Sequence, residues 1–373
     1  MLNLLGEHLI KYGFVIPAKA GIPFPHLRGK VGWGLLKQPT GSPPSRGRLN
    51  QNFLRWVVTL AAMIVANVAV AQSWPAKPVR VIVPWGPGGG TDIVARALTT
   101  RLSETLNQQF IVDNRGGANG IIGTELGAKA PGDGYTIIVN TLSAHVINTS
   151  YYPKLPYNPE HDFAPITLVG WVPLLMYVHP SFPVKTAQDV VNLARSRPGQ
   201  VQYGSFATGS PSHFAAEIMG YMTKTKMVHI PYKGGGAAIA ALLGGEVPLH
   251  FGGVSVGLPY VKSGRIRALA VTGTKRISVL PELPTMDEAL NLKGYDVSVT
   301  FGVLAPAATP KEIIERIYAE ISKVVNSPEY KKRLATLGTE ESQPITPPEL
   351  AQWMSKETVR WANIVRNTGI RAE

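Results

Sequence analysis

Residues 79–92, VRVIVPWGPGGGTD, carry the pattern that decides the fold. The β-branched run Val79–Val83 predicts a short strand, and the consecutive glycines Gly88–Gly90 predict a turn with no side chains in the way. Apolar residues at helical spacing over Ile93–Leu106 then predict a helix. A strand that passes through a glycine-rich turn into a helix is typical of an α/β fold.

The alternation of strand and helix continues beyond this first unit. Strands are predicted at Phe110–Val112 and Thr136–Val139, with a helix at Asn119–Ala130 between them. This βαβαβ order predicts parallel strands in a doubly wound sheet. A second alternating series follows from residue 187 to residue 271, and the tail is predicted to be helical from Lys311 onward.

Two extended segments, near residues 166–178 and 296–304, separate the two series. We expect them to lie side by side as a hinge, so that two α/β lobes surround a central cleft where a ligand can bind. The tail helices are expected to pack back on the first lobe. The predicted boundaries are 72–170 with 297–373 for lobe 1, and 171–296 for lobe 2.

The N-terminal region has a composition of its own. Of the net charge of +13, +7 belongs to residues 1–71, which hold eight Lys or Arg and a single acid, Glu7. Three arginines precede the apolar run Trp56–Ala66, and Ala69-Val70-Ala71 is a small-x-small cleavage pattern. This arrangement predicts a signal peptide over residues 49–71, with cleavage near Ala71 and export to the periplasm. Residues 1–48 show no helical period, and we expect them to be disordered, translated upstream sequence with the true start near Leu49.

Composition excludes several classes of protein. The chain has no Cys, which excludes a disulfide scaffold, a thiol nucleophile and a Cys-ligated metal. No paired-histidine spacing suggests a metal, so no metal and no cofactor are expected. The remaining basic surplus, +6 over 302 residues, has no run of five like charges. A nucleic-acid partner is therefore not expected, although retention on DNA with steep salt dependence would indicate one.

Three loops at strand ends could hold a ligand. The loop Pro84–Asp92 runs into a helix N-terminus, whose free amides and dipole favour an anion. The loop Tyr203–His213 also enters a helix and would face the first loop across the cleft, and Thr141–His145 follows the third strand. Capping alone is the alternative interpretation of the hydroxyls in these loops. In a further glycine-rich loop, Tyr232–Gly236, Lys233 could add charge for an anion, but the loop is interpreted as a solvated turn.

Two enzyme motifs are present in incomplete form. Gly253–Gly257 matches the G-x-S-x-G elbow of serine hydrolases, but no histidine follows Ser255 in the chain as that fold requires. An exported hydrolase using Ser255 stays the alternative function; if no such enzyme exists, replacing Ser255 by Ala is expected to leave ligand affinity intact. The glycines from Gly86 onward fall one position short of a dinucleotide fingerprint, because Thr91 stands where its third glycine belongs. No catalytic residue is therefore predicted.

Several ordered blocks resemble one family over roughly residues 74–373. The blocks are Trp74–Pro78, Pro84–Asp92, Val112–Arg115, Gly117–Gly120, Asp133–Thr136, Gly204-Ser205, Gly209–His213, Val228–Gly235 and Arg267–Thr272. Together they resemble the Bug-type receptors, the substrate-binding proteins of tripartite tricarboxylate transporters.

The resemblance implies a periplasmic solute-binding protein, type II-like in fold, that closes on a small organic carboxylate without catalysis. It would be a monomer that delivers its ligand to membrane transporter subunits. The family's ligand loops map here onto three groups of residues: Trp85, Gly86, Gly88, Gly89 and Gly90; Ser143 and Ala144; and Ser205, Thr208, Gly209 and Ser210. One departure is Phe251-Gly252, where many relatives have Phe-Asp; the missing acid argues against an amino-acid ligand.

Overall fold

The computed structural model describes residues 74–340 and 343–370 of the 373-residue chain. The expected upstream segment 1–48 and signal peptide 49–71 lie outside the described residues, and both stay predictions. Within the described part, no helix has the length and apolar character needed to cross a bilayer.

Nine strands and eleven α-helices make up the described part of the chain. The strands are β1 Val79–Val83, β2 Phe110–Asn114, β3 Thr136–Thr141, β4 Phe163–Val178, β5 Gln202–Ser205, β6 Val228–Pro231, β7 Leu249–Gly253, β8 Arg267–Val271 and β9 Ser298–Pro306. The helices are α1 Gly90–Leu106, α2 Ile121–Ala128, α3 Leu142–Tyr151, α4 Ala187–Ser196, α5 Pro211–Thr223, α6 Gly235–Leu243, α7 Val254–Lys262, α8 Met286–Leu290, α9 Lys311–Asn326, α10 Pro328–Thr336 and α11 Pro347–Thr368.

The strands pair in the order β2-β1-β3-β9-β4-β7-β5-β6, and β8 also pairs with β4. The predicted parallel pairing of the first three strands is confirmed, since β1 runs parallel to both β2 and β3. In the other half, β5 runs parallel to β6 and β7. Each half therefore places the carboxyl ends of its parallel strands, and the helix N-termini that follow them, at one edge.

The strand β4 belongs to both halves. Its residues 163–173 pair antiparallel with β9, and its residues 174–178 pair antiparallel with β7 and β8. Register shifts at Pro165/Thr167 and Leu168/Gly170 mark bulges, which bend a strand and increase its twist. The predicted pair of extended crossings is thus confirmed: β4 and β9 lie side by side where the halves meet. The lobe boundaries at residues 170/171 and 296/297 stay predictions.

The tail returns to the first half, as expected from the sequence. Both α9 and α10 pack against α1, while α11 packs against α3 and β4. Trp361 of α11 is 1% exposed and meets Phe214 of α5 edge-on, with ring centroids 5.4 Å apart. The tail therefore contacts elements of both halves.

Three local features differ from the sequence predictions. Residues 118–120 form a 3₁₀ turn with Asn119 at φ 52°, so that α2 begins at Ile121 rather than Asn119. Helix α3 was expected to be a loop; its residues 142–148 are all buried, which removes the amphipathic period that reveals a helix in sequence. Helix α7 contains Pro259 in its interior, a residue that argues against a helix in sequence.

Candidate functional site

A cavity lies where the two halves of the sheet meet. Both halves contribute to its wall, together with the crossing strands β4 and β9. Its lining residues are Trp85, Gly89, Gly90, Thr91, Thr141, Val172, Leu174, Phe206, Gly235, Gly253, Val256, Val299 and Phe301.

Four helices begin at this cavity. Helices α1, α6 and α7 have the N-caps Gly89, Gly234 and Gly253, and the N-cap of α3 is Thr141. Gly89, Gly234 and Gly253 have no side chain that could accept a hydrogen bond from the helix, and the side chain of Thr141 accepts none from α3. The first-turn amides of a helix have no intrahelical acceptor, and each helix N-terminus carries a partial positive charge of about half an elementary unit. The cavity thus collects backbone donors and positive potential from four directions.

Seven of the described helices begin away from the cavity. Two of them, α2 and α9, have the N-caps Gly120 and Pro310 and also lack a side-chain cap. In each of the other five, a Ser or Thr hydroxyl accepts a hydrogen bond from the amide three residues on. These N-caps are Thr186, Ser210, Thr285, Ser327 and Thr346. Because such caps stabilise a helix by about 1 kcal/mol, their omission at four neighbouring helices leaves amides available to another acceptor.

The hydroxyl of Thr141 is engaged elsewhere. Its Oγ1 lies 2.7 Å from Oγ1 of Thr91, and both residues are buried. This pair joins the N-terminus of α3 to that of α1 across the cavity wall.

Two side-chain donors at the cavity are buried and have no hydrogen-bond partner among the described residues: Trp85 Nε1 and Ser255 Oγ. Trp85 is 6% exposed and lines the cavity. Ser255, 5% exposed, lies in the first turn of α7 and does not itself line the cavity, but its Oγ would be 3.6 Å and 3.9 Å from methyl groups built on the lining residues Gly90 and Gly253. Burying a polar group without a partner is costly, so orphaned donors of this kind mark a place where a ligand can supply an acceptor.

Asp92 shapes the glycine-rich loop from inside α1. Its carboxylate accepts a hydrogen bond from the Gly88 amide at 2.9 Å, from Arg96 Nε at 3.0 Å and from Asn114 Nδ2 at 3.0 Å. Asn114 also donates to the carbonyl of Trp85 at 3.0 Å. Burial acts to raise the pKa of Asp92, but the hydrogen bonds from Arg96, Gly88 and Asn114 outweigh it and lower the pKa below its ordinary value. The ionised carboxylate thus anchors the loop while Arg96 balances its charge.

The loops that precede α1 and α6 touch each other beside the cavity. A methyl group on Gly86 would come within 3.3 Å of the Lys233 carbonyl, and one on Gly236 within 3.3 Å of the Pro87 carbonyl. The interpretation of Tyr232–Gly236 as a solvated turn holds for Lys233, whose side chain is exposed. It does not hold for the glycines, because they pack on the facing loop and Gly235 lines the cavity.

The rest of the cavity wall is apolar. Val172, Leu174, Val256 and Val299 supply aliphatic surface, and Phe206 and Phe301 supply aromatic surface. The rings of Phe206 and Trp85 meet edge-on at 5.6 Å. No charged side chain occurs among the lining residues. The arrangement can therefore hold an anionic group at the helix N-termini and a hydrocarbon body against the walls.

A family model described as "Tripartite tricarboxylate transporter family receptor" matches residues 94–370. The chain belongs to this receptor family. Protein BugT of Bordetella pertussis is 34% identical over 317 residues, which cover 84% of this chain and 96% of BugT.

Solved structures of relatives superpose on most of the receptor. Rpa4515 of R. palustris, solved with adipate, has 35% identity and a TM-score of 0.77, covering 80% of this chain and 99% of its own. MatC of Rhodopseudomonas palustris, solved with bound malate, has 31% identity and a TM-score of 0.74, and the match covers 78% of this chain and 100% of MatC. The two-lobed α/β fold expected from the sequence is confirmed by these relationships.

The first predicted loop of the receptor lies partly at the cavity. Trp85, Gly89 and Gly90 line it, whereas Gly86 faces the loop before α6. Gly88 has φ +76°, a left-handed conformation that favours glycine. Ligand binding by Gly88, and by the other residues of this loop, stays a prediction.

The second predicted loop uses its hydroxyls within itself. Ser205 Oγ donates to the Ala207 carbonyl at 3.0 Å and lies 2.6 Å from His229 Nε2, and Ser210 Oγ donates to the same carbonyl at 2.6 Å. The Thr208 carbonyl accepts a hydrogen bond from Tyr152 at 3.1 Å. None of these three residues lines the cavity; the neighbouring Phe206 does.

Gly209 has a packing role that the sequence did not suggest. It has φ +75°, and a methyl group there would lie 2.5 Å from Cδ1 of Tyr151 in α3. The loop after β5 therefore approaches α3 closely only because residue 209 is glycine.

The third predicted group lies inside α3. Ser143 Oγ donates to the Ser298 carbonyl at 3.0 Å and accepts from the Thr300 amide at 2.8 Å, which ties α3 to β9. Ala144 is 1% exposed and belongs to the core. Neither residue lines the cavity.

Three lining residues, Thr91, Thr141 and Phe206, lie in the predicted ligand loops but were not singled out as contacts. Sequence reasoning missed the other seven, which are Val172, Leu174, Gly235, Gly253, Val256, Val299 and Phe301. A signal was available for two of them, because Gly235 and Gly253 both stand between a strand and a helix, as Gly89 does. The apolar lining residues carry no such signal, since a valine that faces a cavity cannot be distinguished in sequence from a valine in the core.

Two stacked histidines lie behind the second loop. The rings of His213 and His229 are parallel at 3.9 Å, and Tyr203 stacks on His229 at 5.1 Å. The Gly209 amide donates to His213 Nδ1 at 3.1 Å. Burial lowers the pKa of His213 to about 3, and burial lowers that of His229 to about 4, so both rings are neutral at pH 7.

The geometry around Ser255 does not supply an activated nucleophile. A serine nucleophile needs a base within hydrogen-bond reach, and Ser255 Oγ has no partner in the part of the chain that the structure describes. The nearby His250 directs its Nδ1 to the Gly204 carbonyl at 2.9 Å. In the described ranges no group of three His, Cys, Asp or Glu residues is arranged to hold a metal ion.

Proposed function

We propose that this receptor captures a small organic carboxylate in the cavity between its two lobes and delivers it to a tripartite tricarboxylate-type membrane transporter. The observation that carries the proposal is the meeting of four helix N-termini without side-chain caps at one cavity. Relatives solved with adipate and malate support a carboxylate as the ligand class.

Backbone amides, rather than a cationic side chain, supply the anion contacts in this proposal. The lining residues include no Lys or Arg, so positive potential in the cavity comes from the helix dipoles. Amides at helix N-termini bind anions because their donors are fixed before the ligand arrives, which avoids the entropy cost of ordering a flexible lysine.

Closure around the ligand is assigned to the strands β4 and β9. We propose lobe 1 as residues 72–170 with 297–373 and lobe 2 as residues 171–296, with the crossing strands as the hinge. The contacts Gly86–Lys233 and Tyr152–Thr208 join the two lobes beside the cavity. Such contacts favour the closed form, whose cavity separates the ligand from bulk water.

The cellular setting follows from the family and from the N-terminal pattern. We propose that the signal over residues 49–71 directs export to the periplasm, that cleavage occurs near Ala71, and that the receptor acts as a monomer. N-terminal sequencing of the protein from a periplasmic extract tests the cleavage site, and a mature chain that retains Gly41 would contradict it.

The function is tested with protein purified from the periplasm after expression of the full chain. Native mass spectrometry should show one retained small molecule per chain, and adipate, malate, citrate and benzoate are then compared by thermal shift and calorimetry. A carboxylate of the right size should raise Tm, because a ligand that binds only the folded state stabilises it by mass action. If no carboxylate raises Tm and no ligand is retained, the proposal is wrong.

A further inference from the structure

Trp85 Nε1 and Ser255 Oγ are the unusual groups of the cavity, because both are buried donors without a partner among the described residues. They belong to opposite halves of the sheet, Trp85 to the loop after β1 and Ser255 to the helix after β7. Ser255 Oγ lies beside Gly90, and Trp85 packs on Phe206. A ligand held in the cavity would lie against Trp85 and against Gly90, beside which Ser255 Oγ lies.

The polar groups around these donors offer little to a cation. No Asp or Glu lines the cavity, and the hydroxyls of Thr91 and Thr141 are paired with each other. The nearby carboxylate of Asp92 is taken up by Gly88, Arg96 and Asn114. An ammonium group placed here would face helix N-termini, which repel positive charge, without a carboxylate to pair with.

Given the proposed function, on which this step rests, we propose that Ser255 Oγ and Trp85 Nε1 donate hydrogen bonds to the bound carboxylate and that the site rejects carboxylates bearing an α-ammonium group. Ser255 is then a specificity-determining residue of a binding site and not a nucleophile. This reverses the expectation from the sequence that replacing Ser255 by Ala leaves ligand affinity intact.

Matched ligand pairs that differ by one amino group test the selectivity. Calorimetry on the wild-type receptor compares succinate with aspartate, glutarate with glutamate, and adipate with 2-aminoadipate. Whichever diacid binds, its amino analogue should bind at least about a hundredfold more weakly, since an unpaired buried charge costs more than a lost neutral hydrogen bond. An amino analogue within threefold of its diacid overturns the proposal.

Two variants test the donors, and a third serves as control. Ser255→Ala and Trp85→Phe should each lower the affinity for the diacid about tenfold, the effect of losing one hydrogen bond to a charged group. Ser322 in α9 also has a buried hydroxyl without a partner among the described residues, but, unlike Ser255, it is not among the nearest neighbours of any glycine that lines the cavity. Ser322→Ala should therefore leave Kd within twofold of wild type.

The outcomes separate this proposal from the function beneath it. If no carboxylate binds the wild-type protein, the receptor function itself fails. If a diacid binds but Ser255→Ala, folded by its ligand-free Tm, keeps the wild-type Kd, the donor role is overturned and the function stands. If Trp85→Phe fails to fold, the affinity of Ser255→Ala and the comparison of diacids with their amino analogues still test the proposal.

Discussion

The carboxylate of Asp92 turns back along its own helix to accept a hydrogen bond from the Gly88 amide at 2.9 Å. Asp189, at the same position of α4, accepts the corresponding bond from the Lys185 amide at 2.9 Å and a second one from the N-cap amide of Thr186 at 2.9 Å. In α1 the bond from Gly88 holds the glycine-rich loop, while the amides of Gly90 and Thr91 remain at the cavity. The loop is therefore set in place by its helix before any ligand arrives.

Replacing Asp92 by Asn tests this anchor. The variant loses the ion pair with Arg96 and weakens the bond to Gly88, so we expect a fall in stability of about 1–3 kcal/mol and an affinity for the carboxylate about tenfold lower. Asp189→Asn is the control, because it alters the same helical position away from the cavity; it should lower Tm slightly and leave Kd unchanged. Chemical denaturation and calorimetry measure the two effects. Equal affinities for wild type and Asp92→Asn would show that the loop needs no anchor.

Gly90→Ala should block the site without unfolding the receptor. The added methyl group would lie 3.3 Å from Phe301 Cζ and 3.6 Å from Ser255 Oγ, inside the cavity. Overpacking of this kind costs about 1–3 kcal/mol, which predicts roughly a tenfold or greater loss of affinity. At Gly244, away from the cavity, a methyl group would approach no neighbour closer than 3.4 Å. If Gly90→Ala binds the carboxylate as tightly as Gly244→Ala does, the ligand lies elsewhere.

Tyr152→Phe should weaken closure. The hydroxyl of Tyr152 donates to the Thr208 carbonyl at 3.1 Å and so links the first half to the second. Its loss should lower ligand affinity a few-fold through a faster off-rate, since one hydrogen bond contributes about 0.5–1.5 kcal/mol. Tyr135→Phe loses an acceptor for the Ala76 amide within one half and should leave binding kinetics unchanged. Surface plasmon resonance measures the rate at which the ligand dissociates. If the ligand leaves both variants at the wild-type rate, the Tyr152–Thr208 hydrogen bond does not contribute to closure.

Stability should fall as the pH drops below about 6.5. Burial lowers the pKa of His145 and of His250 to about 4, and the stacked pair His213 and His229 is shifted in the same direction. Between the ordinary histidine pKa of about 6.5 and about 4, the unfolded chain takes up protons that the folded receptor does not. Each histidine then contributes a slope of up to about 1.4 kcal/mol per pH unit, with stability highest on the neutral side.

His145→Phe should lower the slope of stability against pH by the contribution of one histidine, which is up to about 1.4 kcal/mol per pH unit. The ring of His145 packs between Tyr157 and Phe163, which a phenyl ring can also contact, although its approach to the Pro159 carbonyl at 3.2 Å is lost. Phe163→Leu provides the control, because it alters packing on the same ring without removing a titrating group, and it should keep the wild-type slope. Urea denaturation from pH 7.5 to 4.5 measures it. A slope that does not change in His145→Phe would mean that this ring does not stay neutral in the folded receptor.

The sequence predicted the fold more completely than the site. The run Val79–Val83, followed by three glycines, identifies the first strand, loop and helix because each signal is local. The pairing of β4 with β9 was also within reach, since two long extended segments flank the second series. Helix α3 was missed because burial on all sides removes the polar face that distinguishes a helix from a buried loop.

The cavity could not be predicted to the same degree. Ser205 and Ser210 were chosen because hydroxyls in a loop before a helix can bind a ligand, but sequence does not show that the Ala207 carbonyl accepts hydrogen bonds from both. Val172 and Val299 reach the cavity only because β4 and β9 cross between the halves. Such positions depend on tertiary pairing, which single-residue patterns do not contain.

A crystal structure of the receptor with its tightest-binding carboxylate tests the central claim most directly. We predict that the carboxylate oxygens lie within 2.7–3.2 Å of first-turn amides of α1 and of Ser255 Oγ, with the carbon skeleton against Val172 and Phe301. A carboxylate held instead by a lysine or arginine side chain, or bound outside the junction of the two halves, would contradict the account.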